Sequence, residues 1–408
     1  MSIRIRLAGL LSRIVLITTG AFAPVVFAKQ GAIEFENGID FTPTVALSYW
    51  QNSNVIHTET NPIDSNLFRV NVSAVAELQS GRSDFVIFYR GELGQYESSP
   101  EDDFENHRLQ FKFDTAASKH SEFKTLVFYD ELVSDRGDGL TEGLGDTLDG
   151  PVEYTDYGAQ FMWRYFLVYE RYWFDAQALY FNRAYHNGSP YTDGRDRVEM
   201  GFRATFFRAV STGSTWFVQA RYNQLDYDDE DPDFPVGFIV TSRDAVDINL
   251  LAGIRWQRNV LTYGSIGVGY QNKTYDSPER QGFKGLTWEL EAFYSPIERV
   301  EIQLNSTRAA VEPPLVGDYV KQVTHALVAS YKFRERIEFF ADFEYFDEQF
   351  IGFDRKEDTS LYGVGIEYEW RSNIKFRLRA QREDKHSNLE GFTYDQNIIG
   401  LQVELGLK

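Results

Sequence analysis

"TWELEAFYSPIERVEIQLNST" spans Thr287–Thr307 and reads in twos. Trp288, Leu290, Ala292 and Tyr294 take alternate positions, with Glu289, Glu291 and Phe293 between them. After Ser295-Pro296 the alternation restarts, with Val300, Ile302 and Leu304 set against Glu301, Gln303 and Asn305. Successive side chains of a β-strand point to opposite faces. Each half is therefore a strand with one oily face and one face of carboxylates and amides, and a tight turn joins the two. Such a hairpin needs an apolar medium on one side and water on the other.

The same alternation runs from end to end. Eighteen pieces carry it: 41–52, 67–79, 83–95, 106–115, 122–132, 156–168, 172–185, 197–208, 215–227, 245–257, 261–274, 285–295, 299–308, 322–333, 336–346, 359–370, 373–382 and 396–407. Past Ala28 there is no window of 18 apolar residues, and no long stretch has the spacing of an amphipathic helix. The connections alternate between eight short turns, such as Ser80-Gly81-Arg82 and Ser295–Glu298, and nine longer polar loops, such as 53–66, 133–155 and 347–358. This pattern predicts an all-β fold, a closed antiparallel transmembrane β-barrel of about 18 strands with short periplasmic turns and long extracellular loops. Each piece is long enough to cross a bilayer at a tilt, which takes about 9–11 residues. Stacked β-sandwiches would use strands nearer 5–6 residues. The apolar face is also rich in ring residues near strand ends, among them Tyr49-Trp50, Tyr165, Trp173, Tyr222, Trp256, Trp288, Tyr331 and Trp370, as in the aromatic girdles of membrane barrels.

The chain has 408 residues, no cysteine and 16% aromatic residues. Residues 1–28 differ from the rest: Arg4, Arg6 and Arg13 lead into or punctuate the apolar run Ile14–Phe27, which closes on Val26-Phe27-Ala28. That is the form of a secretory signal peptide, so 1–28 is expected to be removed and 29–408 to form the barrel. Without 1–28 the chain has 38 Lys+Arg against 61 Asp+Glu, a net charge of −23. So acidic a chain argues against nucleic acid as a partner. Without cysteine no disulfide holds it. The expected location is the bacterial outer membrane, with its lipid as the apolar medium.

If the oily face meets lipid, the other face lines the interior. Its basic positions are Arg69, Arg90, Lys112, Arg164, Arg203, Arg221 and Arg255 in the first half, with Lys375, Arg377 and Arg379 late in the chain. Its acidic positions are Glu289, Glu291, Glu301, Glu338, Asp342, Glu344, Glu367 and Glu369. In barrel order the basic strands lie roughly opposite the acidic ones. That arrangement either solvates a wet lumen or sets a field across it. Val86, Phe88, Leu126, Phe128, Phe181, Phe207 and Phe293 are expected to point inward as exceptions. An eighteen-stranded barrel encloses a channel unless something fills it. The candidate constriction loop is "RGDGLTEGLGDTLDGPVE", Arg136–Glu153, with Arg136, Asp138, Glu142, Asp146 and Asp149.

Nothing points to covalent chemistry. The six histidines, His57, His107, His120, His186, His325 and His386, fall in no G-x-S-x-G or H-E-x-x-H context. "DDEDPDFPVG", Asp228–Gly237, gathers carboxylates without the order of a calcium loop and reads as a solvated acidic loop. We expect no enzyme activity, no cofactor and no metal.

Two stretches carry a family resemblance. "FTPTVALSYWQNSNVIH" starts on Thr-Pro and ends through Asn52-Ser53-Asn54-Val55. "FYDELVSDRGDGLTEG" holds Glu131 and then Asp135-Arg136-Gly137. Both resemble the putative β-barrel porin 2 family of outer-membrane proteins, associated with exopolysaccharide export. The resemblance implies a channel for polysaccharide or oligosaccharide that works with a periplasmic polysaccharide-export protein and is inserted by the outer-membrane barrel assembly machinery. One departure is the ending Leu405-Gly406-Leu407-Lys408, which lacks the aromatic residue that usually engages that machinery. A diffusion porin for small nutrients or ions is the alternative, and a closed surface-binding barrel is a third.

Overall fold

The computed structural model describes residues 32–168, 171–228, 242–259, 261–314 and 316–407. The expected signal peptide and the acidic stretch beyond Asp228 lie outside them. A two-residue strand, β1 (Ile33–Glu34), pairs with the start of β2 (Ile39–Asn52). The wall continues through β3 (Ser65–Ser80), β4 (Ser83–Tyr96), β5 (Phe104–Thr115), β6 (Ser121–Ser134), β7 (Val152–Val168), β8 (Tyr172–Tyr185), β9 (Arg197–Ser211) and β10 (Ser214–Tyr227). It runs on through β11 (Ala245–Asn259), β12 (Thr262–Tyr275), β13 (Phe283–Ile297), β14 (Val300–Val311) and β15 (Tyr319–Arg334). The last strands are β16 (Ile337–Ile351), β17 (Arg355–Arg371), β18 (Ile374–Ser387) and β19 (Tyr394–Gly406).

Each of the eighteen expected pieces corresponds to one strand from β2 to β19. Every strand pairs antiparallel with its sequence neighbour, and β19 returns to β2 with Ile398 opposite Asn52 and Gly406 opposite Thr44. The sheet is thus closed. Alternation decides which face is which. Val218, Phe202, Val364 and Leu250 are 61%, 60%, 58% and 56% exposed on the outer surface. Their neighbours Gln219, Arg203, Gly363 and Leu251 turn the other way.

Register slips occur between Phe166 and Val168, Ser214 and Thr215, Gln257 and Asn259, Tyr294 and Ile297, Lys332 and Arg334, and Glu369 and Arg371. Each sits beside a short turn, where a bulge adds the local twist that a reversal in few residues requires. In the opening stretch the slip falls around Pro296, which has no N–H to give to the ladder. Gly81 and Gly213 enter the left-handed region, φ +62° and +92°, where a side chain is disfavoured.

Two expectations change. The polar segment 347–358 is not a long loop: pairing runs on through Glu348–Glu357 and Phe350–Arg355, leaving only Gly352–Asp354 as the connection. Past the lipid band the alternation is polar on both faces, so hydropathy no longer marks the strand although the ladder continues. Trp50 and Trp173 also leave the outer girdle. Trp50 packs with buried Leu67 and Val55, and Trp173 stacks on buried Phe207 with ring centres 4.9 Å apart.

Val218→Arg tests which face meets lipid. A cation near the middle of the lipid band is expected to cost about 2–4 kcal/mol, measured by guanidinium unfolding in lipid vesicles. A change below about 1 kcal/mol would mean that this face is not in hydrocarbon.

Candidate channel lining and inward loop

The basic positions sit beside outward apolar residues and turn the opposite way. Arg69, Arg90 and Lys112 adjoin exposed Phe68, Tyr89 and Phe111; Arg164, Arg203, Arg221 and Arg255 adjoin Tyr165, Phe202, Tyr222 and Ile254; Arg377 and Arg379 flank Leu378. Lys375 shares the parity of Arg377 and faces Glu369 across β17–β18. The acidic positions follow suit. Glu338 adjoins exposed Phe339, and Glu367 and Glu369 flank Tyr368. Glu289 and Glu291 share a parity opposite to Leu286 and Tyr294. Glu301, Asp342 and Glu344 are buried inside at 8%, 8% and 4% exposure. The seven apolar exceptions also lie inside, with Leu126, Phe207 and Phe293 buried and Phe128 against Phe181 at 6.3 Å.

The cations of the first half do not form a bare basic wall, because carboxylates stand among them. Six of the ten basic positions, Arg69, Arg90, Arg164, Lys375, Arg377 and Arg379, pair within one or two strands, whereas among the described residues Glu291, Glu301, Glu338 and Glu369 join no ion pair. Arg164 makes a two-pronged pair with Asp175 at 2.7 and 2.8 Å. Arg183 does the same with Asp156. Arg69 and Arg90 share Glu92 at 3.1 and 3.0 Å. Arg377 and Lys375 share Glu367 at 2.6 and 3.1 Å, and Arg379 reaches Asp342 at 3.0 Å. Arg221 of β10 bonds Glu289 of β13 with both prongs, one of them 2.7 Å. This pair spans β11 and β12, where Gly253 and Gly267 stand beside Glu289 in the register and offer no side chain in the way. Sequence reading overlooked Glu92, Asp156 and Asp175 because the first half looked basic. Their signal was parity: each falls on the inward face of its own strand.

The segment after β6 folds across the inner wall. Arg136 anchors its start, its guanidinium buried against Asp102 at 2.6 Å (Nε–Oδ1) and 2.5 Å (Nη2–Oδ2). Nη1 donates to the Leu148 carbonyl at 2.8 Å, which closes the loop on itself. Asp138 accepts from Gly139 N at 2.8 Å and caps a single helical turn, Gly139–Thr141. His57 Nδ1 lies 3.1 Å from the Arg136 carbonyl oxygen and donates to it. Gly137 and Gly145 press on the Ile56 carbonyl so closely that a β-carbon would sit 2.1 and 1.9 Å from its oxygen. The two motif stretches singled out in the sequence therefore meet in space.

Farther along, Glu142 crosses to the inward faces of β17 and β18. There it pairs with Arg355 and, at 2.9 Å, with Lys385. Arg355 is wholly buried between the rings of Phe350 and Phe392, 4.0 and 4.2 Å from their centres, and also holds Glu357. Burial by itself would raise the Glu142 carboxyl; Lys385 and Arg355 reverse this and hold it well below the ordinary 4.5. Asp146 and Asp149 stay exposed and join none of these contacts. Arg355 and Lys385 as anchors were not legible beforehand, because only the fold brings them to Glu142. Among the described residues no cluster of His, Asp or Glu could hold a metal ion.

The family model described as "Putative beta-barrel porin 2" matches residues 41–407. No curated protein matches the chain in sequence. Among solved structures it is similar to Pseudomonas aeruginosa OccK5 (OpdH), with 13% identity, TM-score 0.47, and 92% of this chain and 99% of that one covered. It is similar to Acinetobacter baumannii OccAB4 at 8% identity and TM-score 0.48, covering 92% and 99%. The FrpB iron transporter of Neisseria meningitidis aligns at 9% identity and TM-score 0.48, covering 85% of this chain and 62% of that one.

The Glu142 anchor has a pH signature. Its carboxyl is lowered in the folded state, so its stabilisation is complete above the ordinary carboxylate value and is lost as pH falls below it. Because the chain has no cysteine, a spin label on Asp146→Cys reports the loop alone. The label is expected to be restrained at pH 7, to loosen in acid, and to be loose at pH 7 when Glu142→Gln is added. A label equally restrained in all three states would mean that Glu142 does not hold the loop.

Proposed function

We propose that this chain, which belongs to the "Putative beta-barrel porin 2" family, is a diffusion channel for small hydrophilic solutes, narrowed by its inward loop. The protein is an integral β-barrel of the outer membrane. The short turns then face the periplasm and the longer loops the outside. Residues 1–28 are the export signal in this reading, and 29–408 the barrel. The inward charges of the two halves line the water path, and Arg136 and Glu142 fix the constriction.

The observation that carries the reading is the loop held on the inner wall through Arg136–Asp102 at one end and Glu142–Arg355–Lys385 at the other. Buried pairs of this kind cost several kcal/mol to break when one partner is removed. A loop so fixed suits small solutes that pass beside it. A polymer would need it displaced.

Export of a polysaccharide, with a periplasmic export protein at the short-turn rim, is the second reading. Inward rings such as Phe128 and Phe181 support it, since aromatic faces can receive sugar rings. Deleting the gene and assaying polymer outside the cell separates the two: unchanged polymer removes the export reading.

In planar bilayers the purified protein is expected to give steady single-channel steps, and Glu142→Gln to give larger or noisier ones. Absence of current both in the wild type and in a variant lacking 139–148 would remove the channel reading. Intact mass of the purified protein is expected to show a chain that starts at Lys29. A mass that includes residues 1–28 would count against the export signal.

A further inference from the structure

Two inward arginines differ from the rest. Arg69, Arg90, Arg164, Arg221, Arg377 and Arg379 each reach a carboxylate. Among the described residues no carboxylate lies within ion-pair distance of Arg203 or Arg255.

Arg203 stands directly opposite Arg221 on the β9–β10 ladder. Like charges so placed repel. Arg221 is compensated, because Glu289 takes both of its prongs and Gln219, turned to present its carbonyl, accepts from Nη2 at 2.6 Å and Nε at 2.9 Å. Arg203 receives no such compensation, and its Nε is buried without a hydrogen-bond partner. The charges it feels most are those of Arg221, Glu289 and Arg255, one anion against two further cations.

Arg255 is exposed inside the barrel. Its guanidinium lies 4.6 Å from the centre of the Phe207 ring and 5.8 Å from that of Phe217. Phe207 is stacked in turn on Trp173, 11° from parallel. A ring holds a guanidinium by its face and leaves the N–H edge unused. Of the charges around Arg255, Asp175 is taken by Arg164, and Glu291 is the remaining acid. In the register Arg255 stands level with Thr215 and Ala209, and its guanidinium reaches along the wall to Phe207, four residues from Arg203 on the same inward face of β9, so two forks with spare donors flank one ring.

We propose that Arg203 and Arg255 form a docking site for the oxyanion of a solute in transit, a carboxylate or phosphate group that does for them what Glu289 does for Arg221. The site sits on the β9–β11 arc, apart from the inward loop. The inference rests on the reading that solutes enter the lumen, so binding is measured separately from passage.

The test is calorimetric titration of the folded barrel in detergent at low ionic strength with sodium glucuronate, inorganic phosphate and glucose. At least one of the two anions is expected to bind, and glucose not. Binding of glucuronate alone assigns the site to sugar acids, and of phosphate alone to phosphorylated solutes. Arg203→Gln is expected to weaken the anion about tenfold or more, the scale of one charged hydrogen bond. Arg203→Lys should recover part of that loss. Arg308→Gln, on the outer face over Trp288, should leave affinity unchanged. Heat-modifiable gel mobility checks that each variant is folded. No binding of either anion, or equal affinity in the wild type and in the Arg203→Gln, Arg255→Gln double variant, overturns the proposal. Binding that depends on Arg203 in a protein that carries no current would sustain the site and remove the channel reading instead.

Discussion

In hydrocarbon no water is at hand to take a backbone N–H or C=O, and each group left without a partner costs several kcal/mol. The pairing of Ile398–Gly406 with Thr44–Asn52 meets that constraint, because it leaves the barrel no open edge. Everything else depends on this seam. Once the sheet is closed, each strand has one face for lipid and one for the interior, and a one-residue slip anywhere would exchange them. The bulges keep to the short-turn rim, where an unpaired residue lies near water and not in mid-membrane.

Inside, electrostatics works locally. The lumen lies between walls of low dielectric, so an uncompensated charge there is expensive. The chain meets that cost by pairing cations with carboxylates on neighbouring strands, as Arg164 does with Asp175 and Arg183 with Asp156. Arg221 and Glu289 extend the same solution over three strand steps across a glycine gap. Outside these pairs, among the described residues, stand Arg203 and Arg255 on β9 and β11 and Glu291, Glu301, Glu338 and Glu369 farther round the barrel.

That loop shows how a mobile kind of segment becomes part of a rigid wall. Its sequence is rich in glycine and carboxylates, the composition of a solvated loop. Gly137 and Gly145 instead allow backbone to lie on the Ile56 carbonyl, and Arg136 and Glu142 exchange hydration for buried partners. The contacts join Ile56 and Asp102 to Arg355 and Lys385, so they cannot all form before the barrel is nearly complete.

The alternation in twos was enough to determine the eighteen strands that close the barrel, their antiparallel order, the two kinds of rim and the face of Glu289, Glu291 and Glu301 in the Thr287–Thr307 hairpin, because side-chain parity is a local property of extended backbone. It could not determine strand ends beyond the lipid band, since hydropathy stops alternating where both faces are wet; hence Gly352–Asp354 where 347–358 had been expected. Parity does set Trp50 out of step with Tyr49 and Trp173 in step with Phe181, on the inward face, but it could not supply their partners Leu67 and Phe207, which come from other strands. The pairing of Arg221 with Glu289, and the reach of Glu142 to Arg355 and Lys385, were decided by tertiary structure alone. Such contacts depend on which strands closure brings together and at what stagger, and that is a property of the whole ring and not of any stretch of it.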